Sequence, residues 1–496
     1  MTPTSENYEN IKLPANLEVN IDNIKRIMNN SSDLLVNKFE ISGHKSALLC
    51  CEGMVSTSTI TELILHPMMR INLEEYSLPS DAFNVIQNKI LLGIDRVFPT
   101  EYGQLIRLIM SGFALILVDG IATGAAFGVQ GYERRSVQEP SGETNIRGSH
   151  EGFVETIRIN VTMLRKRMKS PTLKFEMFQV GSRSKTDVCL AYLTDKVPQK
   201  MVDEIKRRLG KIKLETVLGT GYIEPFLEGK VLSMFHSVGT TERPDAVCGK
   251  LLEGRVALIV DGTPFVITMP YLFIENFQTL DDYNLRPFYA TFIRWVKYFA
   301  FAITVLLPGV YTAVATFHPE IFNDKLLINL AAAEQNAPLP LAFEAFLMLI
   351  MYEIIREAGL RLPKAVGGGV SIVGGLIIGD AAVSSGLIST PLLIAIALSV
   401  TASFVIPNLN QSTTILRLIF VICGGIWGLY GVSIMIAILL FNICSLENFG
   451  IPMTAPISPL TLKSMRDVAI RLGFKKMQSG DVTVEKLRGA NVDENI

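Results

Sequence analysis

Along the first half of the chain, apolar and polar positions vary over short, strand-length segments, and beyond residue 297 the pattern changes to long apolar runs. Residues 36–41 (VNKFEI) alternate as a half-buried strand does, and 46–51 (SALLCC) read as a second strand. A helix opening on Thr57 and Ser58 is expected over 57–65, and 112–120 (GFALILVDG) read as a strand ending in the Asp119-Gly120 turn. The same order then returns. Strands are expected at 174–180 (KFEMFQV) and 186–193 (TDVCLAYL). An amphipathic helix is expected at 197–209, with Lys200, Asp203, Glu204 and Arg207 outward. Residues 254–262 (GRVALIVDG) echo 112–120 at an offset of 142, and Lys174-Phe175-Glu176 echoes Lys38-Phe39-Glu40 at an offset of 136. Near-constant offsets over several elements predict a duplicated α/β module. The run 105–127 is long enough to suggest a membrane helix, but Asp119-Gly120 interrupts it and its repeat partner is a hairpin, so strands are expected there.

Past residue 284, Arg286, Arg294 and Lys297 precede an uncharged run at 298–317, with Trp295 placed as an interfacial anchor. This first span holds Pro308-Gly309 as a kink, and His318, Glu320 and Asp324 mark its far end. From 366 to 416 the only charge is Asp380. That length fits two spans, 370–388 and 392–405, turning at Thr390-Pro391. A polar loop is expected at 408–413. Arg417 then precedes an uncharged run at 418–444 with Gly424-Gly425 as its weak point. Basic residues flank the first span's start and the last span's exit, where the tail carries Lys463, Arg466, Arg471, Lys475 and Lys476. The positive-inside rule then puts both ends in the cytoplasm, with an even number of crossings. Four spans satisfy it, which leaves 343–360 as an amphipathic, re-entrant or buried helix.

The expected fold is thus an α+β cytoplasmic N-terminal region of two similar α/β lobes, followed by an α-helical polytopic membrane domain of about four spans plus that extra helix. The division is a polar N-terminal tail (1–32, frayed or carrying a short helix) and a first lobe (33–137), then an inter-lobe motif with a basic helix (138–171). A second lobe (172–284), a membrane domain (285–446) and a cytoplasmic C-terminal tail (447–496) complete the chain.

Composition adjusts this picture in three ways. Of 496 residues 49% are hydrophobic, and the mean hydropathy of +0.35 is high for a soluble protein. A net charge of −1 argues against nucleic acid as a partner. Six cysteines without CxxC spacing read as free thiols in a reducing compartment, and the polar start MTPTSENYENIKLP lacks the apolar core of a signal peptide.

The chemistry-bearing candidates lie in 338–390. Charges at membrane depth are costly and mark function by default. On a helical wheel Glu353, Arg356, Glu357, Arg361 and Lys364 share one stripe, with Glu344 opposite. The pairs Glu353–Arg356 and Glu357–Arg361 can neutralise each other, so an interfacial amphipathic helix and a stripe facing a watery path both satisfy the pattern. Ser371, Gly375, Gly379, Ala382 and Gly386 form a small-residue stripe suited to helix packing or oligomer contact. Asp380 lies beside it, either a candidate for an ion path or a protonated packing residue. Between the lobes, Pro140, Glu143, Arg147, Gly148 and His150 offer a docking surface for a partner or an anion. A plain connector followed by a solvated basic helix end (Arg165, Lys166, Arg167, Lys169) explains the same stretch. Five scattered histidines, no HExxH and no Walker A sequence leave no catalytic constellation, so neither an enzyme nor a cofactor is expected.

Together these motifs resemble the A subunits of bacterial spore germinant receptors, the GerA family, which includes stage V sporulation AF-type paralogues. The family's PxxExxIRGPRxGFxE motif is matched by Pro140, Glu143, Ile146, Arg147, Gly148, Gly152, Phe153 and Glu155, then Asn160 and the basic run 165–167. Ser149-His150 stands where the family has Pro-Arg. The second match is Pro338, Pro340, Glu344, the REAGLRLP run 356–363, and Val373, Gly374, Gly375, Gly379, Ala381 and Ala382, followed by Gly450-Ile451-Pro452 and Pro456. The distal tail (GFKKM) departs from the pattern. The resemblance implies a multi-pass protein of the spore inner membrane that works with a permease-like B subunit and a lipoprotein C subunit. It also implies a homo-oligomeric ring in lipid whose membrane part gates a monovalent-cation path. A non-conducting scaffold or signalling subunit, and an AF-type ion channel paralogue, remain as alternatives.

Overall fold

The computed structural model describes residues 3–41, 43–66, 78–80, 83–84, 95–131, 140, 142–143, 145, 147–229, 233–335, 337–361, 379–477 and 483–492. The first lobe begins earlier than the hydrophobic pattern suggests. Helix α1 (Leu17–Ile27) buries Leu17, Ile21, Ile24 and Ile27 in the lobe's core, so 1–32 is not a polar tail. Strands β1 (Leu34–Ile41), β2 (His44–Cys51), β3 (Arg96–Val97), β4 (Phe113–Val118) and β5 (Ala125–Gly128) form an antiparallel sheet of order β1-β2-β4-β5-β3. Helix α2 (Tyr102–Ile109) precedes β4, so the first part of the apolar run 105–127 is helical rather than extended.

The second lobe begins with α3 (Ile157–Arg167), β6 (Leu173–Val180), β7 (Thr186–Leu193) and α4 (Gln199–Gly210). It continues with β8 (Gly239–Thr241), α5 (Pro244–Leu252), β9 (Val256–Val260) and β10 (Val266–Met269). Its sheet order, β6-β7-β9-β10-β8, repeats the first, and again all pairs are antiparallel. Register places the repeat. Leu49 faces Leu115 in one sheet, and Ala191 faces Ala257, each 142 residues on, in the other. In β1, Lys38 faces Ala47; the residue facing Cys189, 142 beyond Ala47, is Met177. The Lys-Phe-Glu echo is therefore three residues out of register. An odd slip turns side chains to the other face of a sheet. Phe39 packs with Leu48 and Cys50, whereas Phe175 packs with Cys189 and Ala191.

The echoed VDG has a structural reason. Asp119 Oδ1 accepts the Leu17 N–H at 2.9 Å, and Asp261 Oδ1 accepts the Ile157 N–H at 3.0 Å, so each turn caps the first helix of its own lobe. The following glycines have φ of +86° and +87°, the left-handed region that glycine enters without a Cβ clash. Among the helix residues expected outward, Glu204 is instead buried, and Arg207 (2.6 Å) and Arg208 (2.7 Å) pair with it.

The membrane half holds α6 (Pro287–Phe317), α7 (Asp324–Glu334), α8 (Leu341–Arg361), α9 (Thr390–Ser403) and α10 (Asn410–Cys444). Among the described residues two helices are long and apolar enough to cross a membrane: α6, and α10 with the turn before it, Pro407–Cys444. The expected polar loop at 408–413 is thus part of a helix. Helix α9 has 14 residues, about 21 Å at 1.5 Å per residue against a hydrocarbon core of about 30 Å. Of the expected span 370–388, residues 370–378 lie outside the described residues. The described part is helical only to Ser384, with Gly386 at φ +69°. Helices α6 and α10 touch where a Cβ on Gly309 would lie 2.7 Å from the Phe420 carbonyl and one on Gly424 would lie 2.4 Å from the Gly309 carbonyl. The break in α10 falls at Gly428, not at Gly424-Gly425. The tail pairs β11 (Glu447–Asn448) with β12 (Ile451–Pro452) and then lies along the second lobe, where Phe273 N–H donates to Met453 O and Val484 N–H to Glu253 O, both at 2.9 Å.

Candidate functional site

Polar side chains gather in two places, the junction between the second lobe and α6, and a row inside the helix cluster. At the junction Arg294 is fully buried, with Nε 2.8 Å from Asp282 and Nη1 2.9 Å from Asp467 of the tail. The Tyr283 hydroxyl donates to Asp467 at 2.6 Å, and Lys297 approaches Asp282 at 3.6 Å. Arg294 and Lys297 are therefore not cations left for lipid headgroups. They tie the α6 start to the lobe and the tail. In the 3-10 turn Phe273–Phe277, ahead of Asp282, Glu275 sits between Arg255 and Lys250. Burial opposes its ionisation, yet those two charges outweigh burial and hold its pKa below the usual carboxylate range.

The row runs along α8. Glu344, in its first turn, is 1% exposed and accepts the Ser389 N–H at 3.3 Å. Tyr311 of α6 and Glu334 of α7 are its electrostatic neighbours. Nine residues on, about 13 Å at 1.5 Å per residue, Glu353 pairs with Arg356 at 2.7 Å, and each is 22% exposed. Arg417 of α10 lies over the Tyr352 ring, within electrostatic range of both. It is 2% exposed and reaches Ser399 Oγ at 3.5 Å. Ser399 and Thr304 exchange hydroxyl-to-carbonyl hydrogen bonds of 2.8 and 3.3 Å between α9 and α6.

The stripe seen on the wheel therefore splits. Glu353 and Arg356 are half-covered, whereas Glu357 and Arg361 form a 2.6 Å pair with side chains 54% and 80% exposed. Lys364, Ser371 and Gly375 lie outside the described residues. Asp380 is exposed on the short helical segment before Ser384, with Gly379 and Gly386 half-buried and Ala382 buried against α8 and α9. The structure brings Glu344 and Ser389 together and leaves Asp380 apart from them.

The profile of the family described as Bacillus/Clostridium GerA spore germination protein matches residues 22–482. This chain belongs to the GerA family. Spore germination protein KA of Bacillus subtilis is 37% identical over 468 residues, covering 93% of this chain and 85% of its own length. The membrane protein YfkQ of the same organism is 36% identical over 469 residues, covering 94% and 91%. The crystal structure of the N-terminal domain of the A subunit of the Bacillus megaterium spore germinant receptor GerK3 aligns with a TM-score of 0.43 at 32% identity. It covers 53% of this chain and 97% of that one.

In this GerA chain the inter-lobe motif is folded back on the second lobe. Pro140 is buried. The Thr241 hydroxyl donates to Glu143 at 2.6 Å, and burial, only partly offset by that bond and by Arg243, pushes the Glu143 carboxyl up. Arg243 also donates to the Ser149 carbonyl at 2.8 Å. The backbone of Arg147 is held by Asp281 and Asn284, beside the start of α6. Gly148 has φ +130°. The Arg147 and His150 side chains face outward. Nor is the basic helix end wholly solvated. Arg165 is 1% exposed and binds Asp33 at 2.7 Å, pinning the start of β1 to the second lobe.

Sequence reasoning missed Arg417, Ser389 and Tyr311. Arg417 did carry a signal, as a lone charge ahead of an uncharged membrane-length run. Ser389 and Tyr311 carried none, since neutral polar residues are common in such helices. Asp282 and Asp467 gave no sign of meeting, lying 185 residues apart in sequence.

Proposed function

We propose that this chain is the membrane subunit of a spore nutrient germinant receptor, and that its helical half forms or gates a path by which monovalent cations leave the spore core at germination. The observation that carries this reading is the polar groups held among α6, α8, α9 and α10: buried Glu344 and Ser389 on one side of α8, and half-buried Glu353 and Arg356 near buried Arg417 on the other. Buried ionisable groups are expensive within apolar helix clusters and recur where ions or protons move. Asp380 and the small stripe with Gly379, Ala382 and Gly386 then serve contacts between copies around the path. The path is completed by a ring of such chains in the spore inner membrane, with both termini in the cytoplasm. Within the receptor a permease-like B subunit senses the nutrient and a lipoprotein C subunit accompanies it, and the inter-lobe motif with Pro140, Glu143, Arg147, Gly148 and His150 serves as a docking surface. The two lobes act as the cytoplasmic module that transmits the signal through the Asp282–Arg294–Asp467 junction.

The test is reconstitution. Purified chain, alone and with its receptor partners, is placed in liposomes loaded with K⁺. Nutrient-dependent K⁺ efflux with the partners supports the reading. A scaffold that conducts nothing gives no efflux in any combination, and that result would sink it.

A further inference from the structure

Below the row's first member, four helices bring oxygen-bearing side chains together with no cation among them. Glu344 of α8 is 1% exposed, and Ser389, which caps α9, is 2% exposed. Glu334 of α7 and Tyr311 of α6 complete the group. One Glu344 oxygen accepts the Ser389 N–H at 3.3 Å. Ser389 Oγ, Tyr311 Oη and Glu334 Oε1 are buried and have no full hydrogen bond among the described residues. The Tyr311 and Ser389 hydroxyls interact with each other, in a geometry looser than a full hydrogen bond. Neither Glu334 nor Glu344 has a Lys, Arg or His within ion-pair distance among the described residues; the ion pairs of this helix cluster involve Glu353 and Glu357 instead.

Buried polar atoms are satisfied in nearly all folded proteins, and an orphaned one calls for an explanation. Three under-satisfied oxygens beside a second carboxyl group suit a positively charged ligand. The donor set is all oxygen, which suits hard cations and excludes soft metals. Divalent sites gather six to eight oxygens and several carboxylates. Here one carboxylate is already engaged by the α9 N-terminal N–H, and two of the remaining donors are neutral hydroxyls. We propose that Glu334, Glu344, Tyr311 and Ser389 form a binding site for a dehydrated alkali-metal cation, K⁺ or Na⁺. The site rests on the conduction reading, and it assigns that path a specific resting place at the meeting point of α6, α7, α8 and the start of α9. Helix α7 contributes only Glu334 to the site.

The test uses purified full-length chain in detergent at constant ionic strength. N-methyl-D-glucamine chloride is exchanged for KCl, NaCl or, at low concentration, CaCl₂, and Tm is recorded. A cation bound by the folded state alone raises Tm, by about 2 °C or more when present well above its Kd. The expected result is such a rise with K⁺ or Na⁺, lost in Glu334→Gln and reduced in Tyr311→Phe. Neither of these touches the Ser389 cap, so they keep the test valid if Glu344→Gln does not fold. No rise over N-methyl-D-glucamine, a rise kept in both variants, or a rise with Ca²⁺ alone would each overturn the site. The same preparations go into the K⁺-loaded liposomes. Efflux without a Tm response overturns the site and leaves the conduction reading standing. A Tm response that depends on Glu334, with no efflux in any receptor assembly, keeps the site and overturns the conduction reading.

Discussion

In the first lobe both faces of the sheet close on the lobe's own segments. Helices α1 and α2 cover one face, and the helical segment 57–65 lies on the other. In the second lobe α3 and α5 cover the equivalent face and α4 the other, but the apolar cluster under α4 runs on into the membrane half. Leu190, Tyr192 and Leu258 share one apolar cluster with Val305 of α6, Phe420 of α10, and Phe449 and Val484 of the tail. Strand order, register and capping turns are common to both lobes. The lobes differ in the segment each one leads into. The second lobe is succeeded by Asp282 and α6, and its apolar cluster extends through Phe273 and Phe277 to the helices. A duplicated scaffold has thus kept one copy self-contained and given the other to the junction.

The largest expected effect breaks the two pins separately. Removing one partner of a buried ion pair leaves an uncompensated charge and costs about 3–5 kcal/mol. Arg294→Met strips Asp282 and Asp467, and hydrogen exchange on the full chain should rise around 278–297 and 464–472 with little change in the first lobe. Arg165→Met strips Asp33 and should raise exchange at 31–36 and 165–175 while the junction stays protected. If either substitution loosened both regions equally, the lobes would not be separate units.

Next are the caps. Asp119→Ala and Asp261→Ala should each cost about 0.5–2 kcal/mol, the usual loss for a helix N-cap. Thermal unfolding should show the two costs alike. A clear cost at one and none at the other would deny that the turns are equivalent.

The smallest effect comes from acid. Burial opposes ionisation of Glu176, but Lys174, Lys206 and Tyr192 outweigh it and lower its pKa from 4.5 to about 2. Because the folded pKa lies below the unfolded one, this contribution is complete above about pH 4.5 and is lost as pH falls toward 2. Glu275 shifts in the same direction. At the register position of Glu176 the first lobe has Asn37, which does not titrate. Between pH 5 and 3, exchange protection should therefore fall in β6 sooner than in β1. Equal loss in both strands would count against the assignment.

The lobes were largely readable from residue patterns because strands and turns are local signals, and VDG marked a real repeat. The Lys-Phe-Glu echo misled because identity of three residues carries no register, whereas pairing across β1 and β2 does. The membrane half was readable where a single helix carries a long uncharged run, as in α6 after Lys297 and α10 after Arg417. It was not readable at α9, whose 14 residues merge with the preceding apolar sequence. In the site, Glu344 and Glu353 stood out as charges in an apolar run, and the 3.6-residue period puts them on opposite sides of α8. Their partners did not stand out. Ser389, Tyr311 and Arg417 meet them only through packing of different helices, and no spacing within one helix encodes such meetings. Arg294 and Lys297 fit a positive-inside pattern by position, yet their partners Asp282 and Asp467 make them structural.

Conduction is tested most directly by nutrient-triggered K⁺ release from spores that carry Glu344→Gln, Glu353→Ala or Asp380→Ala at matched protein levels. A loss of even ~1.4 kcal/mol in barrier lowering slows a step about tenfold, and release from the Glu344→Gln and Glu353→Ala spores should slow by at least about that factor. Release at the wild-type rate from all three would contradict a path through these helices.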